Sequence, residues 1–244
     1  MRSPTFVISL LLLGTLACGG APPREPIPVT HADEPEKRPV PSTSFSVSGL
    51  HGTLSQQEVD STLKPRLPKF LRCAQQRLAE LDVLAGSLRL SFHIATNGAV
   101  AGVSPIASTL GDRATERCML DVAATTRFPP PHGGEADFTW PLELPGDPEV
   151  REPVPLAADV ARSARASAGP AGDVAVGEVL HARCGGGQMV VTAYLDPAGV
   201  PLAVGVAAPD LVTPTELDCI ASGVQSWTFD SPGSYVGKVT FTLP

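Results

Sequence analysis

The sequence predicts an α+β fold built as two tandem small domains, and three observations predict it. The chain matches itself without gaps at an offset of 101 residues, the mark of an internal repeat. Each copy contains strand-like stretches whose apolar residues recur at a period of two. Each copy also places a helix start signal between its second and third such stretch. In the repeat, Gly98 falls on Gly199, Val103 on Val204, Cys118 on Cys219, Phe128 on Phe229, Pro131 on Pro232, Thr139 on Thr240 and Leu142 on Leu243. Upstream, Leu88, Leu90, Phe92 and Ile94 fall on Met189, Val191, Ala193 and Leu195, so the alternation survives where identity does not.

The first copy opens with a helical segment. Ser55 and Glu58 form a capping box, followed by Val59, Leu63, Leu67, Phe70, Leu71, Ala74, Leu78 and Leu81 at three- and four-residue spacing. Pro65 and Pro68 break it into a short piece ending near Lys64 and a main helix from Pro68 to Leu81. Residues 86–95 alternate as a strand with one buried face, and Asn97-Gly98 supplies the positive φ of a two-residue hairpin turn into a second strand over 99–107. The second copy turns through Asp196, Pro197, Ala198 and Gly199. A helix follows over 112–126 with Asp112 as N-cap. Its counterpart has Thr213 as cap, Pro214 at the first helical position and Glu216 closing the box. The last strands start at Ala136 and Val236. Each domain therefore reads as a helix plus β-β-α-β, a three-stranded antiparallel sheet covered by helices on one face. The second copy follows Cys184 at once with three glycines, so its first helix is truncated, and the Ala-rich run 156–168 is a candidate replacement for the lost length.

Met1-Arg2, an apolar core from Phe6 to Leu16 and the small residues around Cys18 lay out a secretory signal peptide over 1–17. That core is well short of the ~20 residues of a membrane-spanning helix. Leu16-Ala17-Cys18-Gly19 resembles the lipobox of bacterial lipoproteins, which makes Cys18 a lipidation site, and Gly19 fits sorting to the outer membrane, facing the periplasm. Thr15 and Leu16 depart from that pattern's usual Leu and Ala or Ser. The Pro-rich, mixed-charge run to residue 44 cannot bury enough to fold and reads as a tether. The expected organisation is a signal peptide over 1–17, anchor and tether over 18–44, first domain over 45–146, linker over 147–171 and a truncated second domain over 172–244.

Of five cysteines, lipid on Cys18 leaves Cys73, Cys118, Cys184 and Cys219 to pair. No C-x-x-C spacing and no histidine pair accompany them, which points to structural disulfides rather than a zinc site. A Cys73–Cys118 bond staples two helices over one sheet face and contributes about 4 kcal/mol by the chain-entropy estimate. The net charge of -7 and pI near 5.2 argue against a nucleic-acid partner.

The assembled landmarks resemble the TonB C-terminal-like domain of the myxobacterial AgmX/PglI type, found in adventurous gliding motility proteins. They are Cys73, Gly86, Asn97-Gly98-Ala99-Val100 with Val103, Ser108-Thr109-Leu110, Cys118, and Phe128-Pro129 followed by Pro131, Gly133 and Gly134. The resemblance covers residues 52–145. The second copy departs from it at Asp230, Ser234 and Tyr235, and both copies lack the tyrosine that follows the first cysteine, having Ala74 and Gly185. The resemblance implies a sheet whose last strand lies at an edge and captures an extended peptide of an envelope protein by strand addition. Phe138, Trp140 and Leu142 mark that edge, and Trp140 is a candidate for its outer face.

Other chemistry is thinner. Ser61 and Lys64 match S-x-x-K, but no S-D-N follows and Gly237-Lys238-Val239 only echoes K-T-G. The five histidines are scattered without ligand spacing, and the triple glycine lacks the lysine of a phosphate loop. The expectation is a non-enzymatic module without metal or cofactor. Its rivals are a peptidoglycan- or peptide-directed hydrolase using Ser61, and a structural spacer in a motility or secretion complex.

Overall fold

The computed structural model describes residues 52–166, 176–185, 187–210 and 212–243. The expected signal peptide, Cys18, the expected tether and residues 45–51 of the expected first domain lie outside the described residues. Helix α1 (Gln56–Leu63) begins at Ser55, whose side chain takes the Glu58 N–H while the Glu58 carboxylate returns to the Ser55 backbone. Pro65 falls in a 3-10 turn (Lys64–Arg66), and α2 (Leu67–Leu78) restarts with Pro68 in its first turn, where no N–H is required. Strand β1 (Gly86–Ile94) forms the centre of an antiparallel sheet between β2 (Val100–Ser108) and β3 (Ala136–Leu144). Helix α3 (Arg113–Ala124) is capped by Asp112, which accepts the Thr115 N–H.

The period-two pattern sorts the faces. Leu88, Leu90, Phe92 and Ile94 are buried under the helices, whereas Arg89, Ser91 and His93 point the other way. Phe92, Phe128 and Phe138 pack in one aromatic cluster, and Phe70 of α2 meets Trp140 with centroids 5.2 Å apart.

The second copy repeats this order with α4 (Val176–Cys184), β6 (Met189–Leu195), β7 (Pro201–Ala207), α5 (Pro214–Gln225) and β9 (Gly237–Leu243). Thr213 and Glu216 form the expected capping box. A separate core gathers Met189, Val191, Leu195, Ile220, Val224 and Phe241 among others. The two disulfides join Cys73 to Cys118 and Cys184 to Cys219, with Cα atoms 5.7 and 5.6 Å apart. The bonds tie α2 to α3 and α4 to α5, so even the nine-residue α4 is held in place.

Three expectations change. The hairpin loop is one residue longer than a two-residue turn. Gly98 N–H donates to Ala95, and Ala95 N–H donates to Ala99, so Thr96–Gly98 form the loop with φ +79° at Gly98. Gly199 does the same after Asp196. A Cβ at Gly98 or Gly199 would lie about 2 Å from a phenylalanine carbonyl, so both positions exclude side chains. The Ala-rich run makes no α-helix. It gives a 3-10 turn (Ala158–Ser163) and the short β5 (Arg165–Ala166), which pairs with β8 (Trp227–Thr228). Finally, the second sheet is not three-stranded. β4 (Val154–Leu156), inside the stretch expected as linker, pairs in parallel with β9 and makes the order β4-β9-β6-β7. Pro155 suits such an edge position.

Candidate functional site

The end strands of the two repeats have different surroundings. β3 pairs with β1 over its whole length, from Gly86–Leu144 to Ile94–Ala136, and among the described residues no strand lies on its other side. The side chains of Phe138, Trp140 and Leu142 are core, with Trp140 only 9% exposed and turned towards Phe70 rather than outward. What β3 presents at its free edge is therefore backbone.

Two observations identify which backbone groups face out. Proline is accommodated in a paired strand with its nitrogen on the free side, which puts Pro141, and with it Thr139 and Asp137 at steps of two, on the outside. In the second repeat the Val154 N–H donates to the Val236 carbonyl at 2.8 Å, so Val236 and, two on, Lys238 face β4. Lys238 is the counterpart of Asp137. The free edge of β3 is thus the equivalent of an edge that this chain covers with its own strand in the second repeat.

Size adapts β9 to that strand. A Cβ on Gly237 would stand 2.7 Å from Leu156 Cδ1, and the counterpart of Gly237 in β3 is Ala136. The open end of β3 is acidic. Asp137 accepts from His93 Nδ1 at 2.8 Å, and Glu135 lies 3.4 Å from Nε2 of the same ring.

The second notable region is the seam between the repeats, formed by the helix-free face of the second sheet. Tyr194 and Thr192, which project there from β6, are fully buried against the first repeat. The Tyr194 hydroxyl donates to the Ala85 carbonyl at 2.9 Å and accepts the Ala85 N–H at 3.1 Å. Lys238 Nζ donates to the same carbonyl at 2.6 Å and sits 4.8 Å from the Tyr194 ring centroid. Burial pushes the Tyr194 phenol up to about 12 and the Lys238 ammonium down to about 8.

The Ala208 N–H donates to Pro105 across the seam at 3.0 Å, and Arg113 and Arg117 of α3 both reach Asp218 of α5, at 2.8 and 3.3 Å. These arginines, with Arg77 and Asp112, line a charged cleft of about 340 Å³. Tyr194 and Lys238 occupy the positions of His93 and Asp137. One cross-strand pair is thus a buried contact in the second repeat and a half-exposed hydrogen-bonded pair in the first. Sequence reading missed this seam. The exchange of His93 for Tyr194 and of Asp137 for Lys238 at equivalent positions was its visible signal.

Ser61 lies in a shallow hollow with Glu58 and His132. Its hydroxyl donates to the Glu58 carbonyl at 3.0 Å, and Lys64 pairs with Asp60 at 2.8 Å, so each has a partner other than the other. The bonds from Ser55 hold the Glu58 carboxyl below its usual range, and Nε2 of the largely exposed His132 is 3.6 Å from it. This geometry orients no base towards the hydroxyl. Among the described residues no three His, Cys, Asp or Glu side chains gather as metal ligands, and no helix is long and apolar enough to cross a membrane. Compared with known proteins, the chain matches no family model, no curated protein and no solved structure.

Replacing Tyr194 with Phe leaves the part-buried Ala85 N–H without its acceptor. Unfolding in urea is expected to show a loss of about 1–3 kcal/mol. His93→Phe, at the exposed counterpart, is expected to change stability by less than about 0.5 kcal/mol.

Proposed function

We propose that this chain is a non-enzymatic binding or assembly module of a bacterial envelope, which recruits a partner by adding an extended segment of it to the free edge of β3. One observation carries the reading. The chain already fills the equivalent edge, on β9, with its own β4, while the edge of β3 has no strand beside it among the described residues. An unpaired edge is a template for another chain, and backbone hydrogen bonds bind it without demanding a particular sequence. β4 also supplies a pattern for the occupant, a short apolar-x-apolar segment running parallel to the last strand.

The differences between the two edges define preference. Ala136, in place of Gly237, has no seat for a leucine like Leu156, so a smaller apolar residue fits there. Glu135, Asp137 and Glu143 favour a segment carrying lysine or arginine. Pro141 interrupts the donor row and limits pairing to the first half of the strand. The proposed setting is the periplasmic face of an outer membrane, with lipid on Cys18 and the Pro-rich run as a spacer on the order of 70 Å when extended. The TonB C-terminal-like resemblance supports this reading of the edge. Neither a membrane helix nor a catalytic constellation enters it.

Thr139→Pro removes one outward N–H and leaves the β1 ladder intact. It is expected to reduce partner recovery at least tenfold when native complexes are isolated under mild solubilisation and quantified by mass spectrometry. Thr240→Pro, at the counterpart in β9, is expected to leave recovery unchanged. Equal recovery with Thr139→Pro would sink strand addition. Intact mass of the native protein is expected to show an acylated Cys18; an unacylated soluble chain would remove the anchor.

A further inference from the structure

The six residues that lead into and form β4 occur twice in the chain. Arg151-Glu152-Pro153-Val154-Pro155-Leu156 is matched in the Pro-rich run by Arg24-Glu25-Pro26-Ile27-Pro28-Val29, identical at four positions and apolar for apolar at the other two. The earlier copy lies outside the described residues. The later one runs parallel to β9, with the Val154 N–H donating to the Val236 carbonyl and Leu156 level with Val239.

The prolines belong to the pattern. A strand bonds a given neighbour through every second residue, so Val154 and Leu156 face β9, and Pro153 and Pro155 fall where no N–H is needed. Pro26 and Pro28 keep that spacing, and Ile27 and Val29 keep their N–H groups. Pro39-Val40-Pro41 repeats only the centre of the motif, because Ser42 stands where the second apolar residue belongs.

The differences between the two copies follow the differences between the two edges. Gly237 leaves room for Leu156, whose Cδ1 would stand 2.7 Å from a Cβ there. Its counterpart Ala136 takes up that room, and Val29 is smaller than Leu156. Arg151 lies over the Tyr235 ring, 3.5 Å from its centroid. The counterpart of Tyr235 is Gly134, followed by Glu135 where the second repeat has Val236, so Arg24 meets a carboxylate in place of a ring.

We propose that the segment taken by the β3 edge is Arg24–Val29 of a second copy of this chain, added in parallel with Ile27 level with Ala136 and Val29 level with Phe138. This rests on the reading of β3 as a recruiting edge and names its partner. A neighbour's segment fits better than the chain's own. A parallel strand leaves at the far end of its partner and needs a return connection. β4 returns through the Ala158–Ser163 turn, whose Val160 and Ala161 pack on the second core. The residues at the same distances beyond Val29 are Asp33 and Glu34, followed by Pro35, and they have no such packing to make.

The test uses tagged and untagged forms of the full chain carrying one of two changes. Thr139→Pro blocks the edge and keeps the segment. Ile27→Asp with Val29→Asp spoils the segment and lies outside both repeats, so their folding is untouched. The tagged unmodified chain is expected to recover its untagged copy, and each variant tested against itself to recover at least about tenfold less. The two variants mixed are expected to recover one another, since one supplies the segment and the other the edge. A synthetic peptide of residues 24–30 is expected to compete with that recovery and to slow exchange of the Asp137 and Thr139 amides in the dilute chain. Failure of the mixed variants to associate overturns the proposal, as does self-recovery that survives the paired change. So does protection of Asp137 and Thr139 in the dilute chain that the paired change removes, since the chain's own segment then holds the edge. If Thr139→Pro releases a different envelope protein and the paired change does not, this proposal falls and strand addition stands; if Thr139→Pro releases nothing, strand addition falls as well.

Discussion

The covering of one sheet face by another part of the same chain is the constraint on which the rest of the structure depends. A small sheet with helices on only one side leaves its other side to water, and the two repeats solve this differently. The first keeps Arg89, Ser91 and His93 there and stays wet. The second places Thr192, Tyr194, Ala203 and Gly205 there and must dock. The Tyr194 hydroxyl bonding both groups of Ala85 fixes where it docks, because a buried phenol without partners costs more than the contact contributes. The two repeats are thus domains of one design with unlike surfaces, packed together along this seam.

From that docking follows a division of labour. The second repeat is closed at its last strand by β4 and at its open face by the first repeat. The first repeat retains a free last strand and an exposed polar face. Each repeat is too small to rely on its core alone, and each carries a disulfide between two of its helices, α2 to α3 and α4 to α5.

Much of this was legible in the sequence. The 101-residue offset, the capping boxes at Ser55 and Thr213 and the cysteine positions lead directly to two α+β repeats with one disulfide each, because these signals are local. The hairpin was read one residue short because Asn-Gly is shared by two loop classes, and the contact of Gly98 with Phe128 that selects between them is long-range. β4 was missed because three residues flanked by prolines and alanines carry no periodicity, and their pairing depends on Gly237 some eighty residues away. Trp140 reads as a candidate for the outer face, yet strict alternation with Phe138 and Leu142 places all three on one buried side.

The central claim is that β3 presents a free backbone edge where β9 does not, and amide hydrogen exchange tests it most directly. In the isolated chain at one pH, the Asp137 and Thr139 amides are expected to exchange close to unprotected rates. Phe138 and Trp140 between and beside them, and Lys238 under β4, are expected to be protected. Protection of Asp137 and Thr139 equal to that of Phe138 would mean the edge is already occupied and would contradict the account.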